Sequence, residues 1–234
     1  MSTNDGGPAL KRSINLALTR EQFLALQPCH ADRRAVEAAL GVWNHPVTAR
    51  EAVAAGVTLQ QLMWAAGRVA AHDPDVKRRI VGFSADCAAR VLPIFEELYS
   101  TDMGPRNAIL AARTAARSAA SISVSALAVE LEAAKASARA ADNAEARAAA
   151  LAAVCAARTD AVAFGAGADT DTAAAWAAWA TADAAGERQW QLKRLVGWLT
   201  DGPTPTPWPL QQPASRSELA ECLDARDKWR EGQR

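Results

Sequence analysis

The chain has 234 residues, half of them hydrophobic, and its 26 basic and 26 acidic side chains cancel to zero net charge. That length can bury a substantial core, as one large or two small domains. The even charge argues against a dedicated nucleic-acid binder, a polybasic membrane segment or an acidic tail. The opening "MSTNDGGPALKRSINLAL" has no apolar signal core, and no apolar run approaches the ~20 residues of a membrane span, so a cytoplasmic protein is expected.

Residues 1–15 read as a flexible N-terminus. Helices follow near 19–27, 31–40, 48–55 and 59–71, forming a small N-terminal module over 16–72 with a mixed Leu, Val, Phe and Trp core. The boundaries come from capping boxes at Thr19/Gln22, Thr48/Glu51 and Thr58/Gln61, and from Gly41 and Gly56 just past helix ends. Longer, Ala-filled helices follow near 74–100, 105–117, 121–141, 143–164 and 172–200. Ala is the best helix former, and small side chains let helix axes approach closely. Pro74 and Pro105 stand as first helical residues, and Asp142/Glu145 reads as another capping box. Residues 73–200 are therefore expected to form one bundle, with no fixed repeat to suggest a solenoid. "DGPTPTPWPLQQP" makes 201–214 a Pro-rich, extended linker in which Trp208 pins the chain to the bundle surface. The Ser215/Glu218 box then opens a charged C-terminal helix over 215–234. The expected class is all-α without a β-sheet: an Ala-rich antiparallel helical bundle, a small helical N-terminal module and a Pro-rich linker to a C-terminal helix.

Within the 74–100 helix, Ile80, Phe83, Cys87, Val91, Ile94, Phe95 and Leu98 share one helical stripe and read as its core face. Arg79, Asp86, Arg90 and Glu97 line a flank of that stripe, where Asp86 and Arg90 are spaced i,i+4 to pair. Pro93 removes one helix hydrogen bond and is expected to bend the helix.

Chemistry-bearing motifs are absent. Cys29, Cys87, Cys155 and Cys222 are far apart and read as buried thiols without disulfide or zinc. His30, His45 and His72 fall near turns and read as solvated. No nucleophile elbow, phosphate loop or metal-protease motif occurs, so no catalytic residue, metal or cofactor is assigned.

The segment "DCAARVLPIFEELYSTDMGPRNAILAAR" resembles an all-helical immunity-protein family of bacterial polymorphic-toxin systems, whose members carry D-C-A-x-R-V-L-P-x-F-E followed by P-R-x-A-I-x-A-A-R. Asp86, Cys87, Arg90, Pro93, Phe95 and Glu96 match the first part, and Pro105, Arg106, Ala108, Ile109 and Arg113 match the second. Trp190, Gln191, Arg194 and Leu195 match a closing W-Q-x-x-R-L segment, and the resemblance extends over roughly residues 16–200. It implies an inhibitor that neutralises a toxin by stoichiometric protein–protein binding. The alternative is a structural or accessory helical protein, phage-encoded, whose partner is an assembly component. The family's Ala-rich helices often carry His, and residues 73–234 here have none.

Two features stand as candidates for a partner surface. Residues 159–187 hold Asp160, Asp169, Asp171, Asp183 and Glu187 and no Lys or Arg, which is either a solvated helix face or an acidic patch that steers a basic partner. Trp176, Trp179 and Trp190 fall on one stripe with Asp183 if that helix is continuous through Gly186, either as core filler or as interface aromatics. Oligomeric state is left open.

Overall fold

The computed structural model describes residues 16–117, 124–161, 174, 177, 181, 184–200 and 205–210. Among them are nine helices: α1 Arg20–Ala25, α2 His30–Leu40, α3 Ala49–Ala54, α4 Leu59–Ala70, α5 Pro74–Leu98, α6 Gly104–Arg117, α7 Val124–Ala140, α8 Ala144–Ala161 and α9 Ala184–Leu199. The fold is all-α with one small exception. The expectations for 1–15 and for the C-terminal helix over 215–234 lie outside the described residues, as does Cys222.

Local chemistry sets the helix starts. Thr19, Thr48 and Thr58 each accept a backbone N–H from N3, whose Gln or Glu side chain returns the bond, so all three capping boxes form. Asp73 caps α5 by accepting from Asp75 and Val76 N–H, with Pro74 first in the helix. Gly41 and Gly56 end α2 and α3 at φ +65° and +100°, where a side chain would be strained. The expected Asp142 cap is corrected: Asn143 accepts from Glu145 and Ala146 N–H, and α8 starts at Ala144. Asp142 is instead held by the Tyr99 hydroxyl.

The exception to all-helix is β1 Ala17–Leu18 paired antiparallel with β2 Val47–Thr48. The expectation of no sheet was wrong because N-cap residues are themselves extended. Thr19 and Thr48 sit at ψ 163° and 160°, so two capped entries lying side by side can pair. Leu16 adds a third link, donating its N–H to the Leu199 carbonyl at 2.9 Å and so stitching the start of β1 to the end of α9.

α5 is the centre of the bundle. It packs against α4, α6, α8 and α9, while α7 closes over α6 and α8. Short turns join α5 to α6 and α7 to α8, so each of these pairs runs antiparallel. Residues 80–89 of α5 are buried on every side, not along one stripe. The face of α8 toward it is built from Ala, with Ala146, Ala148, Ala149, Ala152, Ala153, Ala156 and Ala157 all buried. Two stripe assignments change: Ile94 is half-buried and Leu98 is 53% exposed, because α5 ends there. α5 continues through Pro93. A second, smaller core joins Phe23, Val36, Trp43, Ala52 and Val57 around α1 to α3.

Candidate functional site

Asp86 was expected on a boundary flank, paired with Arg90. Both parts are corrected. Asp86 is fully buried, and its partners come from α6, α9 and the Pro-rich segment. Oδ1 accepts the Trp208 backbone N–H at 2.7 Å and Arg113 Nη2 at 3.4 Å. Oδ2 accepts Arg194 Nε at 2.8 Å and Trp198 Nε1 at 2.9 Å. The two guanidiniums reach past the carboxylate to the segment itself, Arg113 donating to the Trp208 carbonyl and Arg194 to the Thr206 carbonyl. One buried carboxylate thus fastens residues 205–210 as a strap across the bundle. Burial pushes the Arg113 pKa down, while the Asp86 charge opposes that shift; a guanidinium remains a cation in proteins.

The closeness of α9 to α5 depends on Gly82. A Cβ there would fall 2.4 Å from the Trp198 ring, so glycine is what lets the indole lie against α5 and reach Asp86. Arg79 caps the far end of the same helix, donating to the carbonyls of Trp198 at 2.7 Å and Thr200 at 3.2 Å.

Arg90 pairs with Glu187 at 2.5 Å, not with Asp86. Its guanidinium lies over the rings of Trp190 and Trp208, at 4.7 and 5.2 Å from their centroids, and the two indoles meet edge to face at 5.1 Å. Trp208 therefore does pin the linker to the bundle. Glu187 is buried and also accepts from Gln191 at 3.0 Å, so it contributes nothing to a solvated acidic face. Cys87 is buried beside these carboxylates. Burial, then the charges of Glu187 and Asp86, hold its thiol well above the usual range. A third buried pair joins α5 to α6: Glu96 and Arg106 meet through two parallel bonds of 2.6 Å each. Phe95 is fully buried and stacks on Tyr99, while Pro105 is the second residue of α6.

The chain matches the model of the Imm-5 like putative immunity protein family over residues 70–197, more than half its length. The chain belongs to that family. No curated protein and no solved structure matches it. Asp86, Arg90, Pro93, Phe95, Glu96, Pro105, Arg106, Arg113 and Trp190 all fall within the segment assigned to the immunity-protein family. Asp86, Phe95, Glu96 and Arg113 are buried side chains and Arg90, Arg106 and Trp190 are half-buried, and together they bind α5, α6, α9 and the strap; Pro93 lies within α5 and Pro105 in the first turn of α6. The match begins at Ala70, so the resemblance read into residues 16–69 lies beyond it. Membership supports an immunity role in general terms.

The candidate partner residues are a different matter. Asp169, Asp171, Trp176, Trp179 and Asp183 lie outside the described residues, and of Asp160 only its place in the last turn of α8 is described. Trp190, expected on a stripe with them, is instead engaged by Arg90 and Trp208. Sequence reading missed Trp198, Glu187 and Thr206 as members of the network. Trp198 carried one signal, a polar-tipped aromatic one turn after Arg194. Thr206 carried none, because only its backbone carbonyl is used.

Of the cysteines, Cys29 is exposed, contrary to the expectation of buried thiols: it caps α2 by accepting the Asp32 N–H at 3.4 Å. Cys87 and Cys155 are buried as expected. His30, His45 and His72 are all exposed. Among the described residues no three His, Cys, Asp or Glu side chains are grouped to hold a metal ion, and no helix is long and apolar enough to cross a membrane.

Proposed function

We propose that this protein is a cytoplasmic immunity protein that neutralises a toxin domain by stoichiometric binding and without turnover. The observation that carries the reading is the family match over 70–197, which coincides with the bundle knitted together by Asp86, Glu96 and Glu187. An inhibitor of this kind needs a preformed surface, since ordering a loose one on binding would consume affinity. Three buried carboxylates paired across helices supply that rigidity.

The partner surface in this reading is the 159–187 stretch, with Asp160, Asp169, Asp171 and Asp183 supplying charge and Trp176 and Trp179 supplying apolar contact. Negative charge would steer a basic toxin domain, and the indoles would hold it once docked. The test is binding kinetics against a panel of bacterial polymorphic-toxin domains. Reversing Asp169 and Asp171 to Lys should slow association and flatten its salt dependence. Trp179→Ala should speed dissociation and cost about 2 kcal/mol or more. Unchanged rates in both variants would remove this surface. Failure of the parent protein to bind any toxin domain would favour the assembly role.

A further inference from the structure

Between α5, the last turns of α6 and the strap lies a cleft of about 550 Å³. Small-molecule pockets usually hold ~300–1,000 Å³. One wall is apolar, formed by Trp198, Pro205 and Pro207; the other carries Arg78, Arg113 and Arg117. Asp86 is the one carboxylate among the described residues that line it, and both its oxygens are already taken by the donors described above.

Among the described residues the charges do not cancel. Arg78 is neutralised by Asp75. Asp86 offsets only one of Arg113 and Arg194, which leaves one positive charge, and Arg117 adds a second. Among the described residues Arg113 donates through Nη2, and its buried Nε has no acceptor. Arg117 is exposed in the last turn of α6, with no carboxylate in ion-pair reach among the described residues. Arg113 and Arg117 are spaced i,i+4, so the two cations are neighbours on one helix face and repel each other. A single anion lying between them would relieve that repulsion and accept the open N–H groups of Arg117.

We propose that this cleft binds the phosphoryl dianion of a small phosphate-bearing molecule, held between Arg113 and Arg117. The positive excess among the described residues favours a dianion over a monocarboxylate, and guanidinium forks match phosphate oxygens in pairs. The apolar wall gives room for an organic group attached to the phosphate. The inference does not rest on the immunity reading.

The experiment is calorimetric titration of the full chain at about pH 8, where the probe is dianionic, and at constant ionic strength set with chloride. The probes are inorganic phosphate, phenyl phosphate and acetate. Saturable binding of inorganic phosphate is expected, with acetate roughly tenfold weaker or more. Tighter binding of phenyl phosphate would mark an organic monoester as the natural source, and equal binding would mark free phosphate. Arg117→Gln should weaken phosphate binding roughly tenfold, since one charge-assisted pair is lost. Ala116→Leu, which narrows the cleft without touching a charge, should weaken it as well. The proposal is overturned if phosphate gives no saturable signal, if acetate binds equally well, or if both variants bind phosphate like the parent.

Discussion

Replacing Asp86 with Asn tests whether the strap network is structural at its centre. The substitution keeps the shape and removes one acceptor and the charge. In one amide orientation the NH₂ faces the Trp208 N–H and Arg113; in the other it faces Arg194 and Trp198 Nε1. Either way donors meet donors inside the protein, and two guanidiniums lose their counter-charge. Breaking a buried pair by removing one partner costs about 3–5 kcal/mol. Domains have only ~5–15 kcal/mol to lose, so the variant should be marginal. With a urea m-value of about 3 kcal/mol/M, the midpoint should fall by roughly 1–2 M. Hydrogen exchange gives an independent reading, because the Trp208 amide donates to Asp86 and should lose protection. Asp75→Asn is the control: its pair with Arg78 is about one-third exposed on each side and should cost ~0–1 kcal/mol. A D86N variant within 1 kcal/mol of the parent, with Trp208 still protected, would refute the assignment.

Phe95→Ala should cost about 3–5 kcal/mol and Leu98→Ala less than about 1, because the first is fully buried and the second is 53% exposed; equal denaturant shifts would mean the helix phase is wrong. Alkylation of the native protein followed by peptide mapping should label Cys29 and spare Cys87, which is buried with a raised pKa; labelling of both at one rate would contradict that burial. The Tyr99 hydroxyl holds the Asp142 carboxyl below the usual Asp range. A depressed carboxyl pKa adds stability above its unfolded value and loses it as pH falls through the folded one, so this contribution disappears only in acid, below the ordinary Asp range. In Tyr99→Phe an NMR titration should find Asp142 back near that range, and an unmoved titration would rule out the hydroxyl as the cause.

Features that depend on neighbours in sequence were legible, and those that depend on distant ones were not. The side chains of Thr19, Thr48, Thr58 and Asp73 cap helices by accepting backbone N–H groups two or three residues on, and all four were readable. Asn143 was missed in favour of Asp142 because both are good caps and pattern alone does not separate adjacent candidates. Asp86 was misread for a deeper reason. A helical wheel placed it on a flank with Arg90 four residues on, whereas its partners are 27, 108, 112 and 122 residues away. No local rule says that α9 and a proline segment will cover that flank. The two-residue strands were likewise too short to show alternation. The resemblance did point at Asp86, Arg90, Glu96, Arg106 and Arg113 as a group, although nothing in their spacing said that they are mostly buried.

The proposed inhibition by binding is tested most directly by a titration of toxin activity. Increasing amounts of this protein are added to a fixed amount of the toxin domain it is found to bind, and residual activity is measured together with the mass of both chains. A linear fall to zero activity at one equivalent is expected, with both masses unchanged. Activity that persists beyond one equivalent, or that vanishes at a small fraction of one equivalent with the toxin covalently altered, would contradict it.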